Sequence, residues 1–328
     1  MRTELSRDLE LSKLKYDAQC KRVLGEKVIL AWIMKSVVTE YAEMDIAAIE
    51  SCIEGAPEIS SVRVNPGETN TPRVSGSATE DKVPDEGVIY YDIRFRAALP
   101  GEKGTAGIIL NVEAQKAFHL GYSIVTRGIY YCARMLSAQQ GTEFVVPRYD
   151  DIKKVVSIWI CTNAPGNIGN AVTRFRMGKE DLVPGYPDNG KEYDKLSVVM
   201  ICLNEKQDDH IEITELLNTV FSEEKTAEEK KGILQDRFHM EMGNGLGKEL
   251  ELMCNISDYI EERALLRGRE QGREEGREEG TELERERGIK ILTKALLEAQ
   301  MPKERIIEQL MFNYQMDYET AEEYIKKS

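Results

Sequence analysis

The stretch 90-YYDIRFRAALPGEKGTAGIILNVEAQKAF-118 decides the fold. Two apolar-rich segments, each carrying one acid, flank LPGEKGT, a turn signal rich in Gly with one Pro. VIYYDIRFRAA alternates around Ile93 and Phe95, with Asp92, Arg94 and Arg96 on the other side, which is the period-two pattern of a strand. GIILNVEA is nearly continuous apolar, as a central buried strand would be. Paired as a hairpin centred between Glu102 and Lys103, the two place Asp92 directly opposite Glu113. Gln115 then shares their face, because side chains two apart in a strand do.

Working outward, Val23, Leu24, Val28, Leu30, Ala31, Met34, Val37 and Val38 recur at roughly helical spacing, which predicts one or two helices over 16–41. A Gly/Pro/Ser/Thr-rich stretch then reads as a long loop, with a short strand at Ser61 to Val64. Beyond the hairpin come a helix from Ile124 to Gln140 and two buried strands, Lys153 to Asn163 and Lys195 to Asn204. This order points to a mixed sheet flanked by helices, an α/β fold. After Asn204 the chain turns to acidic helix. RGREQGREEGREEGTELERERG repeats Gly268, Gly272, Gly276 and Gly280 every four residues and reads as a solvated helix or stalk held by Arg–Glu pairs, or as a dimerising helix. The last segment reads as two or three short helices. GNGLGKE (Gly243 to Glu249) lacks the full phosphate-loop pattern and reads as a flexible link.

Composition narrows the class. The 328 residues are 41% hydrophobic and carry a net charge of -14. No apolar run is long enough for a transmembrane helix, and the charged start MRTELSRDLELSKLKYD lacks the apolar core of an export signal, so a cytoplasmic protein without a membrane partner is expected. Six cysteines without a CxxC pair and three scattered histidines argue against a disulfide framework or a zinc site. Charge is uneven: Val88 to Lys179 nets +6 and the remainder -20, so the middle of the chain is basic.

Two acids on adjacent strands facing one way are able to hold a hard divalent cation, which prefers oxygen ligands and leaves positions for water and phosphate. The other reading is that Asp92 and Glu113 form ion pairs with Arg94, Arg96 or Lys116 at a sheet edge. Spacing alone leaves both open.

The ordered blocks also carry a resemblance. Asp92, the hairpin, then Glu113-Ala114-Gln115 resembles the D…ExQ form of the PD-(D/E)XK nuclease superfamily. YDAQCKRVLGEKVILAWI, VPDEGVIYYDIRF, ILNVEAQK, VTRGIYYCARMLSAQQGTEF and DDIKKVVSIWICTNAP are together similar to its Rpn-like (recombination-promoting nuclease), transposase-like branch. The resemblance implies a restriction-endonuclease-like mixed sheet over 1–205, followed by a helical segment at 206–261, an Arg/Glu/Gly-rich helix or stalk at 262–290 and a small helical appendage at 291–328. It implies a Mg²⁺-dependent (or Mn²⁺-dependent) DNA endonuclease linked to recombination or mobile elements. Asp92 and Glu113 would be metal ligands, the carbonyl of Ala114 a third, and Asp17 an additional acid. Gln115 stands where the wider superfamily has lysine; a neutral amide orients water but supplies no charge. Lys21, one turn after Asp17 on the same helix face, is the candidate for that charge. Arg127 and Arg134, seven apart on the next helix, are candidate DNA contacts, with Lys116 a further basic position. Cleavage of both strands needs two sites, which points to a homodimer or higher homo-oligomer. The alternative is a catalytically inactive DNA-binding or assembly protein on the same scaffold.

Overall fold

The structure is a computed structural model that describes residues 2–59, 80–83, 87–90, 92–100, 106–116, 118, 120–207, 210–243 and 245–327. The elements in chain order are α1 (Arg2–Leu24), α2 (Lys27–Val37), α3 (Ile46–Cys52), β1 (Glu58–Ile59), β2 (Glu80–Val83), β3 (Gly87–Tyr90), β4 (Ile93–Ala98), β5 (Ala106–Gln115) and α4 (Ile124–Ser137). There follow β6 (Lys154–Cys161), β7 (Ala171–Arg176), α5 (Gly190–Tyr193), β8 (Leu196–Cys202), α6 (Glu212–Phe221), α7 (Ala227–Phe238), α8 (Leu246–Glu298), α9 (Lys303–Tyr314) and α10 (Tyr318–Lys327). The chain divides into two units, Glu10–Ile260 and a second formed by Met1–Leu9 with Glu261–Ser328.

The larger unit is mixed α/β. Its six-stranded sheet has the order β1-β4-β5-β6-β8-β7. β4 and β5 pair antiparallel, β5, β6 and β8 run parallel, and β7 returns antiparallel at the edge. The parallel strands are buried on both faces, which is why β6 and β8 read as continuous apolar runs. One face carries Ile93, Phe95, Leu110, Val112, Ile158 and Ile201 into a core shared with α2 (Ile29, Leu30, Ile33, Met34) and with α6 and α7 (Leu216, Leu217, Leu234, Phe238). The 206–261 segment therefore belongs to the same core as the sheet. The other face carries Ile109, Val155, Trp159, Cys161, Val198 and Cys202 under Ile124, Tyr131, Cys132 and Met135 of α4. Helix α7 opens on a capping box in which Thr226 and Glu229 satisfy each other's backbone N–H.

Several expectations need correction. The strand expected over 88–98 is two pieces: β3 pairs with β2 in a separate two-stranded sheet, and β4 begins only at Ile93. The break falls where Asp92 turns its backbone N–H to a side chain instead of a ladder. Strand β7 escapes the apolar pattern because it is an edge strand, exposed from Val172 onward. GNGLGKE is not wholly a link, since α8 starts at Leu246. The short strand expected at 61–64 and the centre of the hairpin turn lie outside the described residues.

In the second unit, Ile289 of α8 packs with Ile306, Ile307 and Leu310 of α9 and Ala321 of α10. The Arg/Glu/Gly stretch is helical throughout, with nothing within 4 Å of a Cβ built at Gly268, Gly272, Gly276 or Gly280. Among the described residues no helix is long and apolar enough to cross a membrane.

Candidate functional site

The hairpin register fixes the site. Ile93 pairs with Val112, so Asp92, one residue before β4, stands opposite Glu113, as the centred hairpin requires. The register holds to Ala97 and shifts by a bulge at Ala98. The two acids exchange hydrogen bonds through the backbone: the Asp92 N–H donates to Glu113 Oε1 at 3.0 Å, and the Ala114 N–H donates to Asp92 Oδ2 at 3.2 Å. Asn111, two residues before Glu113 and on its face, donates to the same Oε1 at 3.1 Å.

Lys21 arrives from the last turn of α1. Its Nζ lies 2.9 Å from Asp92 Oδ1 and 2.8 Å from Asp17 Oδ2. Burial of Cys20, Val23 and Leu24 docks this turn. Gly25 ends it where an added Cβ would come within 2.8 Å of Ile59 in β1, so residue 25 has no room for a side chain. Asp17, Lys21, Asp92 and Glu113 are thus brought together at the C-terminal end of β5, and among the described residues Asp92 ion-pairs with Lys21.

The electrostatics follow from burial. Glu113 is 4% exposed. Burial first, and the Asp92 charge second, push its carboxyl well above the usual range, while the Asp92 N–H, the Arg127 charge and Asn111 pull partly back. For Lys21, burial works against the charged form, but Asp92 and Asp17 outweigh it and the ammonium is held above its ordinary value.

Beside Glu113, β6 places Trp159, and α4 lays Arg127 over it. The Tyr131 hydroxyl is pushed up by burial, lowered by its bond from Arg127, and raised again by the charges of Glu113 and Asp92. Arg127 and Tyr131 therefore belong to the same charged cluster. Arg134 does not join them: it is 2% exposed and presents no charge to a surface phosphate, although it lies seven residues from Arg127. Lys116 follows the last residue of β5, is exposed, and pairs with Glu223 at 2.7 Å. Gln115 is half-buried; its carbonyl accepts from Thr162 on the β6 side.

No family model matches the chain, and neither does any curated protein or solved structure. Backbone groups of successive strand residues address opposite neighbours. Gln115 faces β6, so Ala114 faces Asp92 with its carbonyl as well as its N–H. Two carboxylates and one carbonyl then share an edge, an all-oxygen donor set that suits Mg²⁺ when water and phosphate complete the shell. Among the described residues no three or more His, Cys, Asp or Glu side chains come together in a group able to hold a metal ion, so the set is limited to the two acids and the carbonyl. Lys21 supplies the positive charge instead. The residues fit the ion chemically, provided Lys21 yields part of its hold on Asp92.

Asn111, Tyr122 and Trp159 are site residues that the spacing did not single out. Asn111 had a readable signal, its place two residues before Glu113 on the same face. Trp159 and Tyr122 had none: the first depends on the β5–β6 register, and the second, whose hydroxyl accepts from Arg127, on how the start of α4 meets the sheet.

Proposed function

We propose that the chain is a Mg²⁺-dependent DNA endonuclease with a restriction-endonuclease-like core of the PD-(D/E)XK kind, in its Rpn-like, transposase-like branch. The observation that carries this reading is the meeting of Asp92, Glu113 and Lys21: an acid just before β4, the β5 acid opposite it, and an ammonium 2.9 Å from the first. Asp92, Glu113 and the Ala114 carbonyl would hold the ion, which when bound supplies phosphate neutralisation and an activated water. Lys21 offsets charge developing on the phosphate. Gln115, with no side-chain hydrogen bond among the described residues, is able to orient water through its amide. Asp17 keeps Lys21 at the site from the far side.

The test is plasmid nicking in Mg²⁺, Mn²⁺, Ca²⁺ or EDTA by the native chain, Asp92→Ala and Glu113→Ala. Metal-dependent nicking lost in both variants, with helix content retained, is the expected result. Activity retained in both removes the metal assignment. A second reading, a DNA-binding or assembly protein without turnover, is favoured by one observation: both Asp92 oxygens already have protein partners. It predicts duplex binding without nicking in any metal.

A further inference from the structure

Arg127 is gripped by aromatic residues on three sides. Its Nε and Nη2 donate to the Tyr131 hydroxyl at 3.2 and 2.7 Å, and its Nη1 donates to the Tyr122 hydroxyl at 2.8 Å. The guanidinium carbon lies 5.1 Å from the centroids of both the Tyr131 and Trp159 rings. Trp159 is itself fixed, donating from Nε1 to Ser157 Oγ at 2.8 Å and packing tilted against Tyr131 with centroids 5.4 Å apart. Helix α4 comes this close only because residue 128 is glycine: an added Cβ would stand 2.7 Å from Val198 and 2.9 Å from Trp159 Nε1. The grip therefore rests on a rigid floor.

What is left open matters more than what is held. A guanidinium has five N–H donors in a planar fork. Three are committed, and among the described residues two remain, one on each terminal nitrogen. Among those residues no carboxylate ion-pairs with Arg127, and its held donors go to tyrosine hydroxyls. Here the charge is half-buried against aromatic faces, over Trp159, the β6 neighbour of Glu113, whose carboxyl it acts on through space rather than by an ion pair.

We infer that Arg127 is the seat of the reacting phosphate, its two open N–H groups forming a bidentate fork for two non-bridging oxygens, and that Tyr131 is the positioning residue that aims the fork. This rests on the phosphodiester-cleavage reading above. It turns Arg127 from a general backbone contact into a member of the reaction site, on the Glu113 and Trp159 side while Lys21 holds Asp92. Bidentate donation suits the paired oxygens of a phosphodiester and gives orientation as well as charge.

The experiment uses the full chain with ¹⁵N-labelled arginine side chains. The Arg127 Nε–H resonance is identified by its loss in Arg127→Lys. A thymidine dinucleotide, which has one phosphodiester, is titrated against thymidine, which has none. The dinucleotide is expected to shift the Arg127 resonance to saturation and thymidine to leave it in place. Tyr131→Phe keeps the ring on Trp159 and removes only the hydroxyl. It should weaken dinucleotide binding on the order of tenfold while tryptophan fluorescence reports an unchanged fold. An Arg127 resonance unmoved by excess dinucleotide overturns the seat, and native affinity in Tyr131→Phe overturns the positioning role. Metal-dependent nicking with a silent Arg127 would retain the cleavage reading and discard the seat. An Arg127 response without nicking in any metal would support the seat and discard the cleavage reading.

Discussion

Replacing Lys21 with methionine separates the charge of the ammonium from the packing of its stem. Methionine retains an unbranched apolar side chain, so the docking of α1 through Cys20, Val23 and Leu24 is kept. What is lost is the cation between Asp17 and Asp92. Breaking a buried ion pair by removing one partner costs about 3–5 kcal/mol, because the other charge is stranded. The Lys21 side chain is 11% exposed and that of Asp92 19%, and Asp92 keeps its bond from the Ala114 N–H, so about 2–3 kcal/mol is the reasoned loss. For a unit of this size that is a fall of about 4–12 °C in Tm. Asp17, at 49% exposure, is the internal contrast: Asp17→Asn should cost less than about 1 kcal/mol. Trp32 and Trp159 both lie in the Glu10–Ile260 unit, so urea or thermal unfolding followed by tryptophan fluorescence reports on the right part of the chain. The magnesium response carries the sharper sign. With the ammonium gone, an ion no longer competes for Asp92, and Mg²⁺ at 100 times its Kd would return about 2.7 kcal/mol. Lys21→Met should therefore gain more Tm from Mg²⁺ than the native chain. A loss below about 0.5 kcal/mol, or equal Mg²⁺ responses, would refute the reasoning.

Two further perturbations probe the same site. Glu113 keeps its proton to higher pH in the folded chain than in the unfolded one, so the folded state binds more protons and metal-free stability falls as pH rises from about 4.3 through the raised value. Glu113→Gln removes that slope; its stability relative to the native chain should grow across this window in denaturation curves taken in EDTA, and parallel curves would contradict the buried, Asp92-facing carboxyl. Gly128→Ala forces a Cβ against Val198 and Trp159, and should lower stability by about 1–2 kcal/mol after the helical gain of alanine, with altered Trp159 emission as α4 lifts. An unchanged Tm and spectrum would mean that α4 does not sit as close as described.

The pairing of β4 with β5 was legible because alternation and a central turn fix register, and register alone places Asp92 opposite Glu113. Lys21 was legible as a face: four residues from Asp17 on one helix, it follows wherever Asp17 goes. The meeting of that face with Asp92 was not in any local pattern, since it depends on α1 ending at Gly25 against β1. Arg134 shows the limit from the other side. Seven residues from Arg127, it shares a helix stripe with it, but Arg127 lies over Trp159 near the strand ends while Arg134 is buried farther along α4. Helical spacing specifies a stripe; only packing says how much of it reaches solvent. Strand β7 was lost for a related reason, because an edge strand exposed on most of its length has no buried partner pattern to display.

The use of Lys21 from α1, with Gln115 on the strand, has a mechanical consequence for the proposed site. A lysine at position 115 would ride on β5, whose pairing with β6 on one side and β4 on the other leaves it little freedom. Lys21 rides instead on the end of a helix, tethered to Asp92 by one ion pair and to Asp17 by another. Were an ion to take a share of Asp92, as proposed, the ammonium could turn toward Asp17 without leaving the site, at little cost because Asp17 is half exposed and already solvated. In the proposed site the same side chain would satisfy the acids in the metal-free chain and stay within reach of a phosphate in the loaded one. Asp17→Asn should thus leave stability nearly unchanged but weaken the retention of Lys21 once Mg²⁺ is present, so its effect on nicking should exceed its effect on Tm. That disproportion is what separates an acid that parks a lysine from one that merely decorates a helix surface.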